Sequence, residues 1–221
     1  MRDPDASATG TRAAHDAASS IVAAGVALEA AGLAPAASGN LSTRLAGGML
    51  LTPTGTRLGA LDRTALARLD EVGTRLSGPP PSKEAPLHLA IYRVRPDARA
   101  IVHLHAPNAV AVSCLADLDP EDALPAYTAY RVMRIGRLPL VGYLPPGDPA
   151  LGDAAAAAAP RAGRGLLLAN HGLVSWGTDL DEAVAVAEEI EAAAGLHLRL
   201  GGLAVRLLSE AERAEVERRF G

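Results

Sequence analysis

Apolar and polar residues follow two different periods along this chain, and the period marks the elements. From Ala13 to Ala31 apolar residues recur at helical spacing in an Ala-rich run, and Gly32 stops the predicted helix. The turn-rich stretch APAASGN (34–40) leads into two short strands, Leu41–Leu45 and Met49–Thr52, joined by AGG as a hairpin. Asp62 reads as the cap of a short helix, and Glu71–Leu76 as a further strand. The Pro-rich GPPPS (78–82) is a stiff loop, and Ser82 is placed to cap a helix over 83–94 with Glu84 in its first turn.

In the second half, ARAIVHLHA (98–106) reads as a buried strand and Asn108–Leu115 as the helix behind it. Residues 116–137 carry no clear period. Leu138–Tyr143 predicts a strand, PPGD a turn, and the Ala-rich run to Ala159 a helix. Gly165–Ala169 is a short apolar strand ending at Asn170-His171-Gly172, Leu173–Trp176 continues the sheet, and Asp179 opens the last long helix, to Leu200. Strands interleaved with helices predict an α/β layered fold, and the hairpin argues against an all-parallel sheet. The expected organisation is a flexible tail over 1–12 and a single domain over 13–221.

Composition narrows the function classes. The 221 residues are 49% hydrophobic, enough for a substantial core, and carry a formal charge of −4. No Lys/Arg run stands out and only 3% of residues are aromatic, which argues against a nucleic-acid surface. A single cysteine, Cys114, excludes an internal disulfide and any CxxC site. The apolar stretches fall well short of the roughly 18 residues a membrane span needs, and the polar N-terminus does not read as a signal peptide. The expectation is a soluble cytoplasmic protein with neither nucleic-acid nor membrane partners.

Candidate chemistry sits at two constellations. His103 and His105 are two residues apart on a predicted strand, so their side chains share a face and can grip one ion. His171 follows a different strand, and Glu84 opens a helix after the rigid loop. Together the four would make a His₃/carboxylate site suited to Zn²⁺ or a similar divalent ion. Each has an ordinary reading as well: a lone H-x-H is a weak signal, His171 a turn residue, and Glu84 a first-turn acid favoured by the helix dipole. His88, four residues after Glu84 on one helix face, competes as a ligand by geometry and reads as a core or neighbouring histidine. His15 and His197 read as structural or solvated.

The second constellation suits an anion. Ser38-Gly39-Asn40 supplies a hydroxyl, an amide and a flexible backbone, and Thr52-Pro53-Thr54-Gly55-Thr56 supplies hydroxyls beside a tight turn. Ser82 and Lys83 stand at a helix N-terminus, where free N–H groups favour phosphate. Each alone is a plain turn or cap, but a cradle made from all three would set the anion beside Glu84.

In order, SGNLS (38–42), TPTG (52–55), PSKExxLH (81–88), HxH (103–105) and NHG (170–172) resemble the class II aldolase/adducin-head family over roughly residues 14–200. The resemblance implies a three-layer α/β/α fold with a central mixed, largely antiparallel sheet, usually assembled as a tetramer with active sites between subunits. It implies that Glu84 is the catalytic acid/base and that His103, His105 and His171 are zinc ligands. Asn40, Thr54, Gly55 and Ser82 match phosphate contacts. Tyr130 falls where sugar-phosphate aldolases supply a tyrosine acid from the neighbouring subunit. Where the fuculose-phosphate aldolases carry a small hydroxyl residue, this chain has Lys83, and the stretch from Pro81 to Leu151 is closer to the 3-oxo-tetronate 4-phosphate decarboxylase branch. Lys83 suits a substrate bearing both phosphate and carboxylate, or is a solvated surface lysine. The expected activity is a metal-dependent decarboxylation giving dihydroxyacetone phosphate and CO₂ through an enediolate. The alternatives are a fuculose 1-phosphate type aldolase, a sugar-phosphate epimerase or dehydratase, and, from a different class, a non-catalytic adducin-like head.

Overall fold

The computed structural model describes residues 4–220. Eight strands form one sheet: β1 (Asn40–Leu45), β2 (Gly48–Leu51), β3 (Ala67–Leu69), β4 (Arg75–Ser77), β5 (Ala100–Leu104), β6 (Leu140–Val141), β7 (Gly165–Leu168) and β8 (Gly172–Gly177). Their order is β4-β3-β2-β1-β5-β8-β7-β6. Every pairing is antiparallel except β6 with β7. The helices are α1 (Pro4–Ala30), α2 (Ala85–Val94), α3 (Pro107–Ser113), α4 (Ala129–Ile135), α5 (Pro149–Ala158), α6 (Leu180–Leu200) and α7 (Glu210–Phe220). No helix among the described residues is long and apolar enough to cross a membrane.

Side-chain alternation divides β5 between two cores. Ala100, Val102 and Leu104 join Ile21 and Leu28 of α1, Ala109 and Val112 of α3, and Val186 and Ile190 of α6. Ile101 faces the other way, packing in the second core with Leu87 and Ile91 of α2, Leu151 and Ala155 of α5, and Val174 and Trp176 of β8. The sheet is thus covered on both faces, and the fold is the expected three-layer α/β/α arrangement around a mixed, largely antiparallel sheet. His103 shares the α2 side of β5 with Ile101, and strand register sets Asn40 directly opposite it.

Several elements differ from the sequence expectation for local reasons. The helix expected from Ala13 begins at Pro4, where proline in a first turn costs no hydrogen bond. Residues 4–12 of the expected tail are therefore helical, and 1–3 lie outside the described residues. Asp62 caps no helix: its carboxylate accepts from the backbone N–H and hydroxyl of Thr64, both at 2.8 Å, which closes a turn instead. Asp70 likewise accepts from Val72 and Thr74, so Glu71 lies in a turn and the strands fall on either side of it. The strand expected over 138–143 pairs only at Leu140 and Val141. Two helices were not expected from the sequence. The seven residues of α4 are capped by Thr128, whose side chain accepts from Arg131 N–H. In α7 no residue is buried, so no apolar stripe marks it.

Candidate active site

The site forms where α2 begins, beside the ends of β1 and β5. The N-cap of α2 is Glu84 itself rather than Ser82, and no side-chain cap is made. Ser82 Oγ instead accepts from Glu84 N–H at 3.3 Å. Pro86 occupies the first turn, where its missing N–H leaves nothing unsatisfied. The Glu84 carboxylate is therefore free of its own helix and turns toward β5.

Three imidazoles surround it. Glu84 Oε2 lies 3.1 Å from His103 Nε2, and Oε1 lies 3.2 Å from His171 Nε2. His103 Nε2 is also 3.1 Å from His105 Nε2. The ring centroids form a triangle with sides of 5.0, 4.9 and 4.8 Å, each pair nearly perpendicular. His103 and Glu84 are almost wholly buried. Neither nitrogen of His171 has a hydrogen-bond partner, and neither does Glu84 Oε1. Buried polar atoms left without partners call for an explanation.

A divalent ion supplies one. An ion held tetrahedrally by nitrogens at about 2.0 Å sets its ligands roughly 3.3 Å apart, close to the spacings found here. The four donors lie within 4.8 Å of one another. The donor set of three imidazoles and a carboxylate is of the kind that takes Zn²⁺ and its neighbours. The surroundings also orient the ligands. His103 Nδ1 donates to the Leu173 carbonyl at 2.8 Å, which turns Nε2 toward the cluster. His171 follows Asn170, whose φ of 53° puts the turn in the left-handed region. Ser113, at the end of α3, holds that turn by accepting from the N–H groups of Asn170 (3.0 Å, through its carbonyl) and His171 (3.3 Å, through Oγ). The loop after His105 is fixed from α6, where the Glu191 carboxylate accepts from the backbone N–H groups of Asn108 and Ala109 at 2.9 and 2.8 Å.

Two glycines permit this crowding. A Cβ at Gly39 would stand 2.8 Å from the His103 carbonyl, and one at Gly172 would stand 2.3 Å from the Leu104 carbonyl. The backbone therefore presses on β5 from both sides, directly at its histidines.

The electrostatics favour a cation. Burial alone would raise the Glu84 pKa, but the charge and hydrogen bonding of His103, with Asn40 beside it, outweigh burial and hold the carboxyl well below its usual range. His103 answers in the opposite sense: burial opposes its charge, yet Glu84 and the Leu173 carbonyl raise it. His105 is lowered to about 4 by burial and by the neighbouring imidazoles.

A cleft of about 200 Å³ opens beside Glu84 and His105. Ser38, Gly39, Asn40, Thr54 and Gly55 line one wall, and Ser82 and Lys83 the other. All seven expected anion residues therefore meet in one place. Asn40 is more committed than expected: Nδ2 donates to Glu84 Oε2 at 2.7 Å, and Oδ1 lies 2.5 Å from His88 Nε2. One amide hydrogen is all its side chain has left for an anion. A second, apolar opening adjoins His105 and His171 and is walled by Pro35, Pro107 and Val110. Tyr130 is 61% exposed on α4 and lines neither opening.

His88 is no ligand. Its Nε2 meets Asn40 and its Nδ1 lies 2.7 Å from Ser42 Oγ, which in turn lies 2.9 Å from the Tyr92 hydroxyl. Burial lowers His88 to about 3 and pushes the Tyr92 phenol up, so both stay neutral. Ser42 and Tyr92 were not singled out from the sequence. Their signal is the spacing Asn40-x-Ser42 against Glu84-x₃-His88-x₃-Tyr92, legible only once a strand and a helix are known to be packed together.

Similarity to known proteins extends over most of the chain. The sequence profile of the Class II Aldolase and Adducin N-terminal domain matches residues 19–198. The 3-oxo-tetronate 4-phosphate decarboxylase of Haemophilus influenzae is 43% identical over 183 residues, covering 82% of this chain and 87% of its own. The L-fuculose phosphate aldolase of Escherichia coli K12 is 34% identical over 193 residues, covering 86% of each chain. The crystal structure of YgbL from Klebsiella pneumoniae superposes with a TM-score of 0.89 at 41% identity, covering 92% of this chain and 98% of that one.

Proposed function

This chain belongs to the class II aldolase and adducin N-terminal domain family, and on that premise we propose that it is a metal-dependent carboxy-lyase acting on 3-oxo-tetronate 4-phosphate. The observation that carries the reading is the buried Glu84 carboxylate, bracketed by three imidazoles at ligand spacing and opening onto a cleft lined for an anion. A catalytically silent head domain has no need of such a cluster. The decarboxylase substrate is favoured over a sugar phosphate by the relatives: decarboxylases reach 39–45% identity, the fuculose phosphate aldolases 33–34%.

His103, His105 and His171 would hold the ion, with Glu84 as fourth ligand or immediate neighbour, and the nitrogen-rich set favours Zn²⁺. When bound, the ion supplies Lewis acidity to adjacent substrate oxygens. The 4-phosphate lies against Ser38, Thr54, Gly55 and Ser82, and Lys83 adds a cation at the mouth. Breaking the C1–C2 bond releases CO₂ and leaves the electron pair as an enediolate over C2 and C3. Glu84, ionised at rest, takes a proton from solvent through the cleft and passes it to C2, completing dihydroxyacetone phosphate. The walls at Pro35, Pro107 and Val110 hold no charge, which suits an end of the substrate that loses its charge as CO₂ departs.

Tyr130 is exposed and lines neither opening, so its place in the reading is as a second acid delivered to a neighbouring subunit of a homotetramer. A phosphorylated substrate, confined by its charge, fits a cytoplasmic enzyme. The direct test is to incubate zinc-loaded protein with 3-oxo-tetronate 4-phosphate and follow both products. CO₂ and dihydroxyacetone phosphate should appear in equal amounts well above the spontaneous rate. Lactaldehyde from fuculose 1-phosphate, with no acceleration of CO₂ release, would replace the decarboxylase by the aldolase.

A further inference from the structure

The polar residues beneath α2 form one laced row. Asn40, Ser42 and Arg44 occupy alternate positions of β1, while Glu84, His88 and Tyr92 recur every fourth residue on α2. Two strand residues advance about 6.7 Å and four helical residues about 6.0 Å, so the two rows mesh rung by rung. The hydrogen bonds run Tyr92 to Ser42 (2.9 Å), Ser42 to His88 (2.7 Å), His88 to Asn40 (2.5 Å) and Asn40 to Glu84 (2.7 Å). All five residues are more than nine-tenths buried. At the far end the Arg44 guanidinium lies over the Tyr92 ring, 4.4 Å from its centroid, and donates to the carbonyls of Tyr92, Arg95 and Ala98.

The direction of every bond in the row is determined. An ionised carboxylate only accepts, so Asn40 must present Nδ2 to Glu84 and its oxygen to His88. His88 must then carry its proton on Nε2. A neutral imidazole has one N–H, so Nδ1 accepts from the Ser42 hydroxyl, and Ser42 Oγ accepts from Tyr92. Were the Asn40 amide reversed, its oxygen would face the Glu84 oxygen at contact distance. The amide also rules out a proton relay along the row, because it holds no transferable proton between His88 and Glu84.

We propose that His88 is a positioning residue: as the Nε2–H tautomer it locks the Asn40 amide, and through it the working orientation of the Glu84 carboxylate. The inference rests on Glu84 being the working carboxylate, and not on which substrate it serves. His88 is wholly buried, so losing its donor is felt at Asn40 and through it at Glu84.

Two measurements test this. Imidazole ¹⁵N spectra of the protein, with only six histidines to resolve, should show His88 protonated on Nε2 and bare on Nδ1; the opposite tautomer overturns the proposal whatever the enzyme's substrate. In turnover, His88→Leu should lower kcat by about 10- to 100-fold with KM held within about threefold, the loss usual for an outer partner of a metal-site ligand. His88→Gln, whose amide can donate to Asn40, should recover most of that loss at a similar Tm. Equal impairment of Leu and Gln, or losses that follow Tm alone, would reduce His88 to a packing residue and overturn the proposal.

Discussion

One cleft contains two regions built on different principles. The proposed metal corner draws its groups from the end of β5, a helix start and a tight turn, and all but the half-buried His105 are buried. Asn40 apart, the proposed anion wall draws its groups from loops, and Thr54, Gly55 and Lys83 among them are exposed. Rigid placement suits groups whose distances decide the chemistry, and looser placement suits groups that must receive a mobile, solvated phosphate. The same corner can then serve related reactions while the wall selects among substrates.

The largest effect should come from the corner. Glu84→Gln keeps the shape and one acceptor but removes the proton carrier, and kcat should fall by about 10³-fold or more with Tm little changed. Retained turnover would move the acid/base elsewhere. Gly172→Ala should be nearly as damaging by a different route, because its Cβ would meet the Leu104 carbonyl at 2.3 Å and force β8 from β5. A loss of about 2–4 kcal/mol in denaturant unfolding, with weakened zinc binding, is expected. A smaller effect sharpens the electrostatic side of the comparison. Because Glu84 and the Leu173 carbonyl raise the His103 pKa against burial, protons compete with zinc for this imidazole. Zinc affinity should therefore climb with pH by about tenfold per unit per proton displaced and level off above the His103 pKa. Competition titrations at several pH values read this directly, and a flat profile would contradict the pairing. The smallest effect should belong to the wall: Lys83→Ala should raise KM by about tenfold and leave kcat within about twofold. A kcat loss instead would mean that Lys83 belongs to the corner.

The sequence made the corner's membership legible but not its wiring. H-x-H on a strand, N-H-G after another and Glu84 after a Pro-rich loop were each visible because their spacing reflects a local period. Asn40 was visible only as a loop polar group, since its pairing opposite His103 depends on strand register across 63 residues of chain. His88 reads from the sequence as a core or neighbouring histidine, although helical spacing on the face of Glu84 also allows a ligand, and only the strand beneath shows that Asn40 and Ser42 take both its nitrogens. In the fold, the long helices and the AGG hairpin followed from periodicity and turn chemistry. The edge strand β4 and its neighbour β3, three residues each, were too short to show alternation, and Asp70 hid the turn between them. The charged α7 carried no apolar stripe to read.

The two glycines flanking β5 also bear on how this scaffold can change over generations. Gly39 and Gly172 leave no room for even a methyl group against the His103 and Leu104 carbonyls, so single substitutions at either side of the ligand strand meet a steric dead end. Thr54 and Lys83, exposed in the cleft, carry no such restriction. New specificities are therefore reachable by stepwise mutation of the rim, while the proposed ion-holding centre is an inheritance that this backbone can lose but not gradually revise.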